Sequence, residues 1–201
     1  MIDDVTANKE NFVSALRNCN REGTEALLTE LENLGFFKAP ASSKFHGSYE
    51  GGLCEHSLNV MKEALAIRKA QIELCNCLEP LLSEESVVVA SLLHDVCKAD
   101  VYKVEEKFRK DKDGKWEKYK AYGVDYSGLP VGHGEKSVIR ILRTGFKLTD
   151  EEIVAIRWHM SGFDLNDSYE AKGNYGAACD KTPLVGVIEA ADILAAQVLE
   201  R

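Results

Sequence analysis

Residues 86–98 read SVVVASLLHDVCK. The run 87–93 is almost wholly apolar, and its valines taken alone favour a strand. The neighbouring segments carry helical spacing, so the stretch reads as a buried central helix over about 84–98. It ends in the adjacent pair His94-Asp95. Such a pair arises often by chance, and a single histidine in a helix is ordinarily a satisfied core or surface residue. The pair acquires meaning only if other ligating side chains converge on it.

Working toward the N-terminus, a long helix is expected over about 53–77, with Leu58, Met61, Leu65 and Ile72 in its apolar stripe and Pro80 marking the break after it. Before it, residues 38–52 (KAPASSKFHGSYEGG) form a loop by composition. Gly51 and Gly52 suit a tight entry to the following helix. Two further helices are expected over 8–19 (Phe12, Val13, Leu16, Cys19) and 22–34 (Ala26, Leu27, Leu31, Leu34), the second stopped by Gly35.

Toward the C-terminus, residues 101–122 change character. Aromatics and valines flank Asp113-Gly114, a turn signal, and predict a hairpin over about 103–122. From Lys98 to Lys120 there are nine Lys or Arg and six Asp or Glu, a local net of +3 that leaves −11 for the rest. This is either an ordinary solvated hairpin or a positive rim for a phosphate-bearing ligand. Helical patterning resumes near His133 and runs to about Arg143. Thr149 and Glu152 form a capping box for a helix reaching about Met160. Residues 161–181 are expected as a loop, and a last helix from Pro183 to near Arg201.

The chain has 201 residues, 45% hydrophobic and 29% charged, with a formal net charge of −8. These values fit one soluble domain and speak against a general nucleic-acid surface. No apolar run is long enough for a membrane span. The start, MIDDVTANKE, is acidic and polar, unlike an export signal, so a cytoplasmic location with six free thiols is expected. Cys75 and Cys77 lack the second close pair that a thiolate metal site needs.

There are five histidines: His46, His56, His94, His133 and His159. The intervals from His56 to His94 and from Asp95 to His133 are each 38 residues, which would let ligands arrive from separate helices of a bundle but does not by itself identify a metal. Asp192 sits in the apolar stretch IEAADILAAQ, so it is a candidate buried acid that needs a cation or donors nearby.

Over roughly residues 45–200 the chain resembles the HD-domain superfamily of metal-dependent phosphohydrolases. GGLCEHSLNV looks like the family's opening Gly-Gly-Leu-x-x-His-Ser/Thr. LLHDVCKAD matches its His-Asp-x-x-Lys pattern. GHGEKS and Trp158-His159 match the extra histidines of the two-metal branch, and Asp192 matches the closing aspartate. The resemblance implies an all-α, HD-domain-like helical bundle with a short β-hairpin insertion. It would be one domain over 1–201, with 1–44 as a helical extension packed on it and 103–122 as the insertion.

It also implies a ligand set of His56, His94, Asp95 and Asp192, completed by His133 and His159, with Asp95 bridging two divalent transition-metal ions. Fe or Mn is favoured by the resemblance, while Zn, Co and Ni suit the same donors. The implied reaction is hydrolysis of a phosphomonoester or phosphodiester, in a nucleotide or other small phosphate, through a metal-bridging hydroxide. Lys98 would contact the substrate phosphate.

The stretch KFHGSYEGG resembles the entrance loop of an exoribonuclease-like branch. By that likeness His46 would assist catalysis and phosphate binding; otherwise it is a surface-loop histidine. Tyr49, Tyr102 and Tyr126 are candidates for a base pocket, each having packing as its ordinary role. That branch usually carries an OB-type domain first, which the residues before His56 do not supply. A small phosphate ligand is therefore expected, and long nucleic acid only with a partner protein. Oligomeric state is left open. The alternatives are an O2-dependent di-iron oxygenase on the same scaffold and a metal-stabilised, non-catalytic regulatory module.

Overall fold

The computed structural model describes residues 2–164 and 168–200. Its α-helices are α1 (Ile2–Asn18), α2 (Thr24–Asn33), α3 (Gly52–Leu74), α4 (Glu84–Leu93), α5 (His133–Arg143), α6 (Asp150–Trp158), α7 (Tyr169–Lys181) and α8 (Leu184–Leu194). Two antiparallel strands, β1 (Tyr102–Lys110) and β2 (Trp116–Val124), lie between α4 and α5. The fold is thus a mostly helical bundle with one hairpin insertion, as the sequence predicts.

The apolar run that favours a strand by propensity is helical, because α4 lies at the centre. It packs on α3, α6 and α8, while α3 also packs on α8 and α6 on α5. Val87, Val89, Leu92 and Leu93 are fully buried, and so are Leu53, Val60, Ile156 and Ile188 from the surrounding helices. Each such side chain contributes about 1.5–3 kcal/mol by leaving water, and this tertiary burial overrides the β preference. Within the same core, Phe12, Phe36 and Phe37 pack with ring centroids 5.2–5.5 Å apart.

Several boundaries differ from expectation. The helix expected over 84–98 ends at Leu93. Asp95 leaves helical geometry (φ −106°, ψ 19°), and Val96–Asp100 continue as a 3-10 turn. Helix α3 likewise stops at Leu74, and Pro80 lies inside a 3-10 turn, Asn76–Leu81. Much of the loop expected over 161–181 is α7, capped by Ser168. Its weak intrinsic propensity is offset by Tyr175, whose ring lies 5.8 Å from that of Trp158 and whose hydroxyl donates to Glu189 at 2.8 Å. Residues 165–167 of that stretch lie outside the described residues, as does Arg201 at the end of the last expected helix. That helix ends at Leu194 and loosens into a π-helical turn, Ala195–Leu199.

The capping box at α6 forms as expected, with Thr149 Oγ accepting from the Glu152 amide and the Glu152 carboxylate accepting from the Thr149 amide. Glu152 is fully buried and also takes a bidentate pair from Arg21, which ties the start of α2 to α6. The six cysteines form no disulfide. No single helix among the described residues is long and apolar enough to cross a membrane.

A candidate two-metal centre

Two close backbone approaches set up the site. A Cβ on Gly52 would stand 2.0 Å from the carbonyl oxygen of Gly47, and a Cβ on Gly134 would stand 2.1 Å from that of Arg157. Only glycine permits these contacts. The first folds the loop carrying His46 onto the start of α3, four residues before His56. The second seats the N-terminus of α5 on the end of α6, so that His133 and His159 meet with ring centroids 5.3 Å apart.

The end of α4 supplies the centre. Had the helix continued, His94 and Asp95 would point about 100° apart. Instead the chain tightens, and both side chains enter one buried cluster. The carboxylate of Asp95 is divided between two sets of imidazoles. Its Oδ2 lies 3.3 Å from His94 Nε2 and 3.7 Å from His56 Nε2. Its Oδ1 lies 2.8 Å from His133 Nε2 and 3.5 Å from His159 Nε2. Asp192 reaches from α8, with Oδ1 3.1 Å from His56 Nε2. The donor atoms fall into overlapping groups, each within 4.8 Å: His56, His94 and Asp192; His94, Asp95 and His159; Asp95, Cys97 and His133. A clustered histidine–aspartate site resembling a two-metal centre is present.

The ring orientations fit cation binding. His94 Nδ1 donates to the Ser91 carbonyl and His159 Nδ1 to the Ile156 carbonyl, both at 2.7 Å. A carbonyl can only accept, so in the neutral rings the lone pairs sit on Nε2. Both Nε2 atoms are buried and lack a hydrogen-bond partner within the chain, whereas His56 Nε2 has Asp192 Oδ1 at 3.1 Å and Asp95 Oδ2 has the Lys98 ammonium at 2.6 Å. Buried polar atoms left unmatched are costly, and imidazole nitrogens converging with carboxylate oxygens are the donor set of divalent transition metals.

Charge is arranged accordingly. Burial pushes the Asp95 carboxyl up, but Lys98 and His94 outweigh it and hold it well below the usual carboxylate range. Burial acts in the same way on Asp192, and His56 with His94 keeps it ionised. For His56 burial works against the imidazolium, yet Asp192 and Glu200 lift it to about 9.

Lys98 sits on the 3-10 turn rather than on a continued helix. Residues i and i+3 eclipse in that geometry, which brings its Nζ to 2.6 Å from Asp95 Oδ2. His46 is close by, its ring centroid 4.8 Å from that of His56 and its Nε2 buried without a partner. Burial, then the nearby His56 and Lys98, lowers its pKa, so the ring is neutral at pH 7. The three tyrosines are divided. Tyr102 and Tyr126 line a cleft of about 280 Å³ with Lys98 and His133. Tyr49 lines a separate one of about 510 Å³ with His46 and Glu200.

Two residues at the site are absent from the sequence-based set. Glu200 places both carboxylate oxygens 3.1 Å from His56 Nδ1 and accepts from Asn59 at 3.0 Å. Cys97 Sγ lies 3.4 Å from the nitrogens of His133, and its amide donates to Ser137 Oγ, which links the 3-10 turn to α5.

Among known proteins, the dihydroneopterin 2',3'-cyclic phosphate phosphodiesterase of Methanocaldococcus jannaschii is 33% identical over 94 residues, which are 47% of this chain and 34% of that protein. The match thus spans about a third of that relative's length. No family model matches the chain, and no solved structure matches it.

Proposed function

We propose that the chain is a metal-dependent phosphohydrolase of the HD-domain type, acting on a nucleotide or another small phosphomono- or diester. The observation that carries this reading is the Asp95 carboxylate, which directs one oxygen toward His56 and His94 and the other toward His133 and His159. A bridging carboxylate between two imidazole sets suits a pair of divalent ions, with Fe or Mn favoured and Zn, Co or Ni chemically compatible. The partial relative supports a phosphoester substrate, since its name describes cleavage of a small cyclic phosphodiester.

His56, His94, Asp95 and Asp192 would hold one ion, and Asp95, His133 and His159 the other. Such ions, when bound, neutralise phosphoryl charge and acidify water. The chain's own groups do the rest. The ammonium of Lys98 is aimed into the cluster from the cleft, where it binds a substrate phosphate oxygen and offsets charge developing there. Neutral His46 donates a hydrogen bond to phosphate or to the leaving oxygen. Ser91 and Ile156 fix the tautomers of His94 and His159, and Glu200 orients His56 in the same way. Tyr102 and Tyr126 flank the ligand in the cleft.

The test is a panel of phosphomonoesters and diesters, including nucleoside 2',3'-cyclic phosphates, offered to the metal-loaded protein without oxygen. Anaerobic ester cleavage is expected. Oxygen consumed in step with substrate would instead indicate an oxygenase, and tightly held metal with no turnover across the panel would indicate a binding or regulatory module.

A further inference from the structure

The hairpin carries a surface that the metal chemistry does not use. Side chains alternate across a strand, and paired residues share a face. The register Val104↔Tyr122, Phe108↔Lys118 and Lys110↔Trp116 therefore puts aromatic and cationic groups on one face. Val104, Phe108 and Trp116 are 61%, 63% and 69% exposed, and they lie together on that face rather than scattered singly. Lys110, Lys118 and Lys120 share the face with one acid, Glu106, which pairs with Lys118. This positive face stands on a chain whose net charge is −8.

The face leads into the candidate metal centre. Tyr102 and Val124, paired at its base, line the cleft that also holds Lys98 and His133. We propose that this face of the hairpin is a track for a short single-stranded oligonucleotide, whose bases stack on Trp116 and Phe108 and whose backbone lies along Lys118 and Lys120 toward the metals. Alternate residues on a strand are about 6.8 Å apart, a step of the same order as that between phosphates of an extended strand. Aromatic platforms interleaved with cations are the means by which single strands are held without sequence preference. The binding stands on the hairpin alone, while the consequence that the strand is cut rests on the phosphohydrolase reading.

The test is fluorescence anisotropy on the full-length protein as purified, with a labelled, phosphorothioate-linked oligouridylate of about eight nucleotides, which resists cleavage. Binding is expected to weaken about tenfold in Trp116→Ala and to return in Trp116→Phe. The double variant Lys118→Glu/Lys120→Glu should weaken it further and flatten its salt dependence. Thermal melts establish that the variants are folded. No binding, or equal binding by Trp116→Ala and the double-glutamate variant, would overturn the track. So would equally strong binding of phosphatidylserine vesicles through the same residues, which would make the face a membrane contact. Loss of the track with small-ester hydrolysis intact leaves the enzyme reading standing, whereas oligonucleotide binding without any hydrolysis removes that reading alone.

Discussion

Glu200 closes on His56 from behind, with both carboxylate oxygens 3.1 Å from the Nδ1 that faces away from Asp95 and Asp192. A carboxylate on the remote nitrogen of a ligating histidine fixes its tautomer and raises its basicity. Glu200→Ala is expected to weaken metal binding by about 10- to 100-fold, read by calorimetric titration with Mn2+. Glu200→Gln, which keeps an acceptor, should fall between. Unchanged affinity in both would reduce the contact to packing.

Lys98 is expected to separate binding of metal from turnover. Its ammonium contacts Asp95 but contributes no donor lone pair while protonated. Lys98→Ala should therefore retain bound metal and lose about 100-fold or more in kcat. Parallel elemental analysis and steady-state kinetics check this, and an equal loss of both would reassign Lys98 to holding the centre together.

The clustered histidines and Asp95 are largely legible in the sequence because they belong to motifs: His56 follows a glycine pair, His94-Asp95 closes an apolar run, and His133 sits between two glycines. The physical reason for those glycines, the approaches of Gly52 to Gly47 and of Gly134 to Arg157, appears only in three dimensions. Glu200 carries no such mark. An acid in the polar end of a chain is ordinary, and its reach to His56 follows the π-helical turn at Ala195–Leu199, an irregularity that periodicity does not announce. The end of α4 at Leu93 was hidden for a related reason, since Val96 and Cys97 extend the apolar run past the point where the helix stops. Helix α7 reads as loop in the sequence because of its glycines, asparagine and aspartate, and its packing on Trp158 and Glu189 is a tertiary effect.

The ion cluster behind the 3-10 turn gives a pH dependence. Asp100 accepts from Lys136 at 2.8 Å and pairs with Arg140. Burial pushes the Asp100 carboxyl up, but Lys136 and Arg140 outweigh it and hold it below its ordinary 3.8. A depressed carboxyl stabilises the fold above its unfolded pKa, and that stability is lost as pH falls through the folded value. Asp100→Asn should cost about 1–3 kcal/mol at pH 7, and the gap to the parent should close as pH drops below 3.8 toward the folded value. Urea titrations at pH 7, 4 and 3 measure it, and a gap independent of pH would contradict the assignment.

The most direct test is metal stoichiometry with and without the residue that faces both histidine sets. Elemental analysis of protein reconstituted with Fe2+ or Mn2+ under anaerobic conditions is expected to give about two ions per chain, and Asp95→Asn should lose both sites together while remaining folded by circular dichroism. A parent protein that saturates at a single ion, or an Asp95→Asn variant that keeps the full complement, would contradict a centre bridged by Asp95.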